Sequence, residues 1–88
     1  MSFTEAGLDN VGSTEALAWA FSKALPPKQK LLLIYLADGY RQPKELDFMA
    51  AAAFAGIATH EVGQNIRALR RAELVRFDAN VVQIRYGA

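Results

Sequence analysis

Four side chains in the second half of this chain, His60, Gln64, Arg67 and Arg71, follow one another at spacings of four, three and four residues. On an α-helix that spacing stacks them into one stripe. With Val62 at the origin of a wheel of about 100° per residue, Ile66 and Leu69 fall within about 40° of it and the four polar residues cluster on the far side. The stripe offers paired hydrogen-bonding groups and two guanidinium cations, with no acid at its centre. Two readings compete: a surface that meets a partner, and a solvated face whose arginines are favourable near the helix C-terminus. Glu61, near the N-terminal end of the same segment, favours the second reading because it repels an anionic partner.

Other chemistry finds little to work with. His60 is the single histidine and there is no cysteine, so His60 has no second soft ligand with which to hold a metal. The carboxylates are scattered over separate segments, and no nucleophile and base stand at a recognisable spacing. The expectation is therefore no catalysis, no metal and no cofactor.

A chain of 88 residues makes one small domain. With 52% hydrophobic and 22% charged residues it has the composition of a folded globular chain. The absence of cysteine fits a reducing compartment, the apolar run Leu31 to Ala37 is too short to span a bilayer, and the N-terminus lacks the pattern of a signal peptide. These point to a cytoplasmic protein with no membrane partner. Charge is unevenly placed: Glu5, Asp9 and Glu15 outweigh Lys23 in the first 27 residues, whereas Arg67, Arg70, Arg71, Arg76 and Arg85 outweigh three acids after residue 57.

The elements that must position the stripe follow from periodicity and punctuation. Residues 1–12, with Gly7, Asn10 and Gly12, read as a flexible arm, and residues 13–88 as the domain. Ser13 or Thr14 can cap a helix over "STEALAWAFSKAL", stopped by Pro26 and Pro27, with Leu17, Ala20, Phe21 and Ala24 as its core stripe. A second helix after Pro27, "KQKLLLIYLAD", is apolar over most of its circumference and is the central one, with Gly39 suited to a left-handed cap. Arg41 to Pro43 connect to a third helix over Lys44 to Ala55, whose inward residues are Phe48, Ala51, Ala52 and Ala55. Gly56 turns the chain into the striped helix, about Thr59 to Ala72. Beyond it "LVRFDANVVQIRY" alternates, pairing Val75 with Ile84 and Phe77 with Val82 on one face and Arg76 with Gln83 on the other. The turn falls near Ala79-Asn80, where alanine is a poor turn residue and argues for a loop longer than two.

Three helices followed by a hairpin is the order of a mainly α winged helix-turn-helix, here with an extra N-terminal helix and a C-terminal β-hairpin wing. The segments "ALAWAF", "LPPKQKLLLIYLAD" and "GIATHEVGQNIRALRRAELV" together resemble the helix-turn-helix domain at the N-terminus of phage and plasmid replication-initiation proteins and related small regulators, over roughly Ala16 to Val75. The resemblance places Gly56 at the turn, Val62, Ile66 and Leu69 inward on the recognition helix, and Ala72, Leu74 and Val75 at its exit into the wing. It implies double-stranded DNA as partner, and a role as a small transcriptional regulator or replication accessory of a phage or mobile element.

On that reading Thr59, His60, Gly63, Gln64 and Arg67 are the base-reading candidates, Gln64 for adenine and Arg67 for guanine or phosphate. Arg70, Arg71, Arg76 and Arg85 are the phosphate candidates.

Three positions depart from the family pattern. Ala58 stands where a small hydroxyl residue usually caps the helix, at a cost of about 0.5 to 2 kcal/mol. Glu73 stands where glycine is usual, implying an exit without the left-handed residue. Gly63 inside the helix costs roughly 0.8 to 1.0 kcal/mol relative to alanine.

Trp19 and Phe54 fall off the expected stripes of their helices. They are candidates for a protein interface, a homodimer included, or for a core in which the first helix packs with both faces. The competing functional class is a winged-helix protein-interaction module, inhibitor or adaptor, that does not bind DNA.

Overall fold

The computed structural model describes residues 12–88. The arm expected over residues 1–12 lies outside them apart from Gly12. The chain is mainly helical with a small antiparallel sheet: α1 (Ser13–Phe21), α2 (Pro27–Gly39), β1 (Lys44–Glu45), α3 (Phe48–Ala55), α4 (Thr59–Arg71), β2 (Val75–Asp78) and β3 (Val81–Ile84). Among the described residues no helix is long and apolar enough to cross a membrane.

Central α2 packs against α1, α3, α4 and β3. Pro27 opens it at a position where a backbone N–H has no intrahelical acceptor, so the ring costs nothing there. Leu32, Leu33, Leu36 and Ala37 are buried along it, and Tyr40 closes it, its N–H donating to the Leu36 carbonyl at 2.7 Å. Gly39 is the last helical residue and keeps a negative φ, so the left-handed cap expected there is not used.

Helix α1 ends four residues earlier than its sequence pattern suggests, and its wheel is rotated. Ala16, Trp19 and Ala20 face the core, while Phe21 is 60% exposed and Ala24 lies outside the helix, also exposed. The start also differs: Gly12 occupies the cap, and Glu15 reaches back to accept its N–H at 3.0 Å. The early end is satisfied from outside the helix ladder. Ser22 Oγ donates to the Trp19 carbonyl at 2.6 Å, and the Lys30 ammonium donates to the carbonyls of Phe21 and Lys23. These accepted carbonyls remove the penalty for stopping short of the prolines.

Lys44 and Glu45 are strand, not the first turn of the third helix. They pair with Val82 and Val81, making β3 the middle strand of a sheet ordered β1-β3-β2. Asp47 then caps α3, accepting from the Ala50 N–H at 3.0 Å. Ala51, Ala52 and Ala55 are buried as their spacing predicts, and Phe48 is half-buried against the core.

The hairpin register is the expected one: Val75 opposite Ile84, Arg76 opposite Gln83, Phe77 opposite Val82. Its turn has only two residues, Ala79 and Asn80, with φ of 50° and 64°. Right-handed strand twist favours this doubly left-handed turn, and here it prevails over alanine's reluctance. Gln83 departs from the simple alternation. It sits on the sheet face away from Val75 and Val82 yet is 1% exposed, because the Arg41 segment covers it and the Arg41 carbonyl accepts from its Nε2 at 2.9 Å.

Candidate nucleic-acid interface

The turn into α4 is made by Gly56 at φ 69°, a left-handed position that glycine occupies without a Cβ clash, and Ile57 N–H returns to the Ala52 carbonyl at 3.1 Å. Val62, Ile66 and Leu69 are fully buried, which anchors the helix and leaves its other side to solvent.

The start of α4 lacks a side-chain cap, since Ala58 has no acceptor to offer. Half of a capping box survives: Glu61 Oε1 accepts from the Ala58 N–H at 3.0 Å. Its other oxygen, Oε2, accepts from Lys28 Nζ at 2.8 Å, tying the start of α4 to the start of α2. The Lys28 hydrogen bond first, and the Ala58 N–H second, hold the Glu61 carboxyl below the ordinary carboxylate range. The charge that counted against an anionic partner is therefore paired within the fold. Lys28 lies 33 residues from Glu61, so nothing in the local sequence signals that it belongs to this end of the helix.

At the far end, Glu73 takes the left-handed conformation itself, with φ 63°. Leu74 N–H donates to the Leu69 carbonyl at 3.0 Å and Glu73 N–H to that of Arg70 at 2.9 Å, the two bonds of a Schellman ending. The exit without a left-handed residue that glutamate implied is thus corrected. The packing of Leu74 and Val75 into the core requires the same bend whichever residue stands at 73.

Thr59, His60, Gln64, Arg67 and Arg71 are all exposed on α4, and Gly63 is half-buried beside them. The Arg67 guanidinium folds toward Gly63: a Cβ placed on the glycine would lie 3.5 Å from Arg67 Nη1. The phosphate candidates divide. Arg71 is exposed in the last turn. Arg70 Nη1 donates to the Phe77 carbonyl at 3.1 Å, bracing α4 against β2. Arg85 lies 3.6 Å from Glu73 in an ion pair. Arg76 of β2 and Arg85, the residue after β3, line one cleft with Tyr86 and Ala88.

The aromatic candidates also divide. Trp19 is 9% exposed, not partly open as its wheel suggested. It stacks at a tilt on Tyr86 with ring centroids 5.9 Å apart, donates to the Ala88 carbonyl at 3.4 Å and carries Lys23 Nζ 5.5 Å above its ring. The chain beyond β3 covers it, which removes the reason for placing it in an interface. Phe54 is 51% exposed, with its ring 5.5 Å from that of Tyr35.

Among the described residues, no three His, Cys, Asp or Glu side chains come together where a metal could bind. No family model, curated protein or solved structure matches the chain.

Proposed function

We propose that this chain is a winged helix-turn-helix domain that binds double-stranded DNA, with α4 as recognition helix and the β2-β3 hairpin as wing, acting as a small transcriptional regulator or replication accessory of a phage or mobile element. The observation that carries the reading is the outward face of α4: His60, Gln64, Arg67 and Arg71 are exposed in one stripe, and the neighbouring acid, Glu61, is held by Lys28 and the Ala58 N–H. A helix of this kind fits the major groove, where Gln64 can pair with adenine and Arg67 with guanine. Arg71 and Arg76 contact phosphates, which position the protein without reading sequence.

A specific observation favours a second reading, a protein-interaction module. Arg70 and Arg85 are engaged by the Phe77 carbonyl and by Glu73, which leaves a thinner ring of cations around the stripe than the sequence suggests.

Binding to mixed double-stranded DNA fragments across a salt series separates the two. DNA binding predicts affinity that falls steeply with salt, from counterion release. Gln64→Ala and Arg67→Ala then each cost about 1 to 3 kcal/mol at the preferred site, while Arg76→Ala weakens all sequences and lowers the salt slope by about 1. No salt-dependent binding at moderate ionic strength, or silence of all three substitutions, rejects the DNA reading in favour of a protein partner.

A further inference from the structure

A groove of about 400 Å³ lies across the first three helices, lined by Leu17 of α1, Ile34, Tyr35 and Asp38 of α2, and Phe54 of α3. Apolar surface continues past it. Phe21 follows Leu17 by one helical turn and is 60% exposed, and Leu31 precedes Ile34 by one turn and is 38% exposed. Three of the five large apolar side chains exposed among the described residues, Phe21, Leu31 and Phe54, thus belong to one region of a small protein. A contiguous apolar patch of this kind marks an interaction surface.

The charges on α2 indicate what covers it. Lys30, Ile34 and Asp38 form one ridge at four-residue spacing, with the cation before the apolar centre and the anion the same distance after it. Lys30 is fixed by the Phe21 and Lys23 carbonyls, which pins its ammonium at the α1 end of the patch. Asp38 is exposed and, among the described residues, makes no ion pair. Rotating the ridge by 180° about Ile34 places Asp38 of each copy against Lys30 of the other, Ile34 against Ile34, and the two helix dipoles antiparallel. A surface that is complementary to itself under a two-fold rotation is what an isologous dimer requires.

We infer that the α1-α2-α3 groove is a homodimer interface, with a second copy of this chain packed on it through antiparallel α2 helices. None of the groove's lining residues belongs to α4, so the dimer does not consume the His60 to Arg71 stripe. Under the proposed DNA reading, two stripes on one particle read a two-fold symmetric site.

The test is the mass of the full chain in solution without DNA, by sedimentation equilibrium over a wide concentration range, so that its outcome is independent of DNA binding. The expected result is a dimer of the 9.7 kDa chain. Leu31→Glu and Asp38→Lys should each raise its dissociation constant about tenfold or more, while Met49→Glu, outside the patch, leaves it unchanged. Circular dichroism confirms that each variant is folded.

A chain that stays monomeric at all concentrations overturns the inference. In that event, nuclear Overhauser contacts from residues 1–11 to Phe54 or Ile34 would assign the groove to the chain's own N-terminal segment, and their absence to a different protein. A dimer indifferent to Leu31→Glu and Asp38→Lys overturns it equally, by placing the contact elsewhere. A dimer that fails to bind DNA leaves the inference standing and rejects the DNA reading alone.

Discussion

Replacing Gly63 by alanine should make the protein more stable and, under the DNA reading, a poorer binder. Gly63 lies in the interior of α4 with a negative φ. A methyl group added there meets only the far end of Arg67, with Nη1 at 3.5 Å, Nη2 at 3.8 Å and Cζ at 3.9 Å, all ordinary van der Waals distances. Nothing in the fold has to move, so the helix-propensity gain of about 0.8 to 1.0 kcal/mol is realised nearly in full. In a domain of this size 1 kcal/mol raises Tm by about 4–8 °C. Urea and thermal unfolding, followed by the fluorescence of the buried Trp19, measure this gain. If the bare backbone at Gly63 is where a groove wall approaches, the same methyl intrudes on the contact, at a cost of about 1 to 3 kcal/mol in DNA affinity. Stability and binding then move in opposite directions, which a merely damaged fold does not do. A lower Tm refutes the claim that the methyl is accommodated. A higher Tm with unchanged DNA affinity refutes the claim that Gly63 stands at a point of close approach.

Three left-handed positions among the described residues are occupied by residues with a Cβ and are open to improvement: Glu73, Ala79 and Asn80. Glu73→Gly relieves about 1 to 2 kcal/mol of backbone strain, offset by unfolded-state entropy and an exposed ion pair, for a net gain of up to about 1 kcal/mol in urea unfolding. Installing Asn-Gly at 79 and 80 suits the turn better and should stabilise the hairpin by a similar amount, read as slower amide exchange across β2 and β3. Trp19→Ala should cost about 3 to 5 kcal/mol, since it empties a buried site against Tyr86; a change below 1 kcal/mol would mean that the chain beyond β3 does not cover it in solution. Because the folded Glu61 carboxyl titrates lower than in the unfolded chain, its contribution is present above the unfolded pKa and is lost as pH falls through the lowered folded value. Glu61→Gln should flatten that part of the stability-pH curve, and Lys28→Met should do most of the same.

Several features are carried by local sequence and survive folding unchanged. The hairpin register follows from the two-residue alternation of Val75, Phe77, Val82 and Ile84, and a slip by one residue would turn all four to solvent. The opening of α2 follows from Pro27, the turn at Gly56 from the left-handed conformation, and the inward row of α4 from the spacing of Val62, Ile66 and Leu69. Each depends on neighbours within a few residues.

Most features that the sequence did not reveal depend on groups far along the chain. The wheel of α1 turns Trp19 inward because Tyr86 and Ala88, at the other end of the described chain, cover it. Lys44 and Glu45 become a strand because β3 has a free edge that their backbone can pair with. Gln83 is buried by the Arg41 segment, Glu61 is paired with Lys28, and Arg70 and Arg85 are drawn to the Phe77 carbonyl and to Glu73. Periodicity identified which α4 residues share a face, because a helix repeats every few residues. Which of those and the neighbouring charges remain available to a partner was decided by tertiary packing, because a hydrogen bond or ion pair formed across the fold withdraws a group whose local sequence is no different from that of its exposed neighbours.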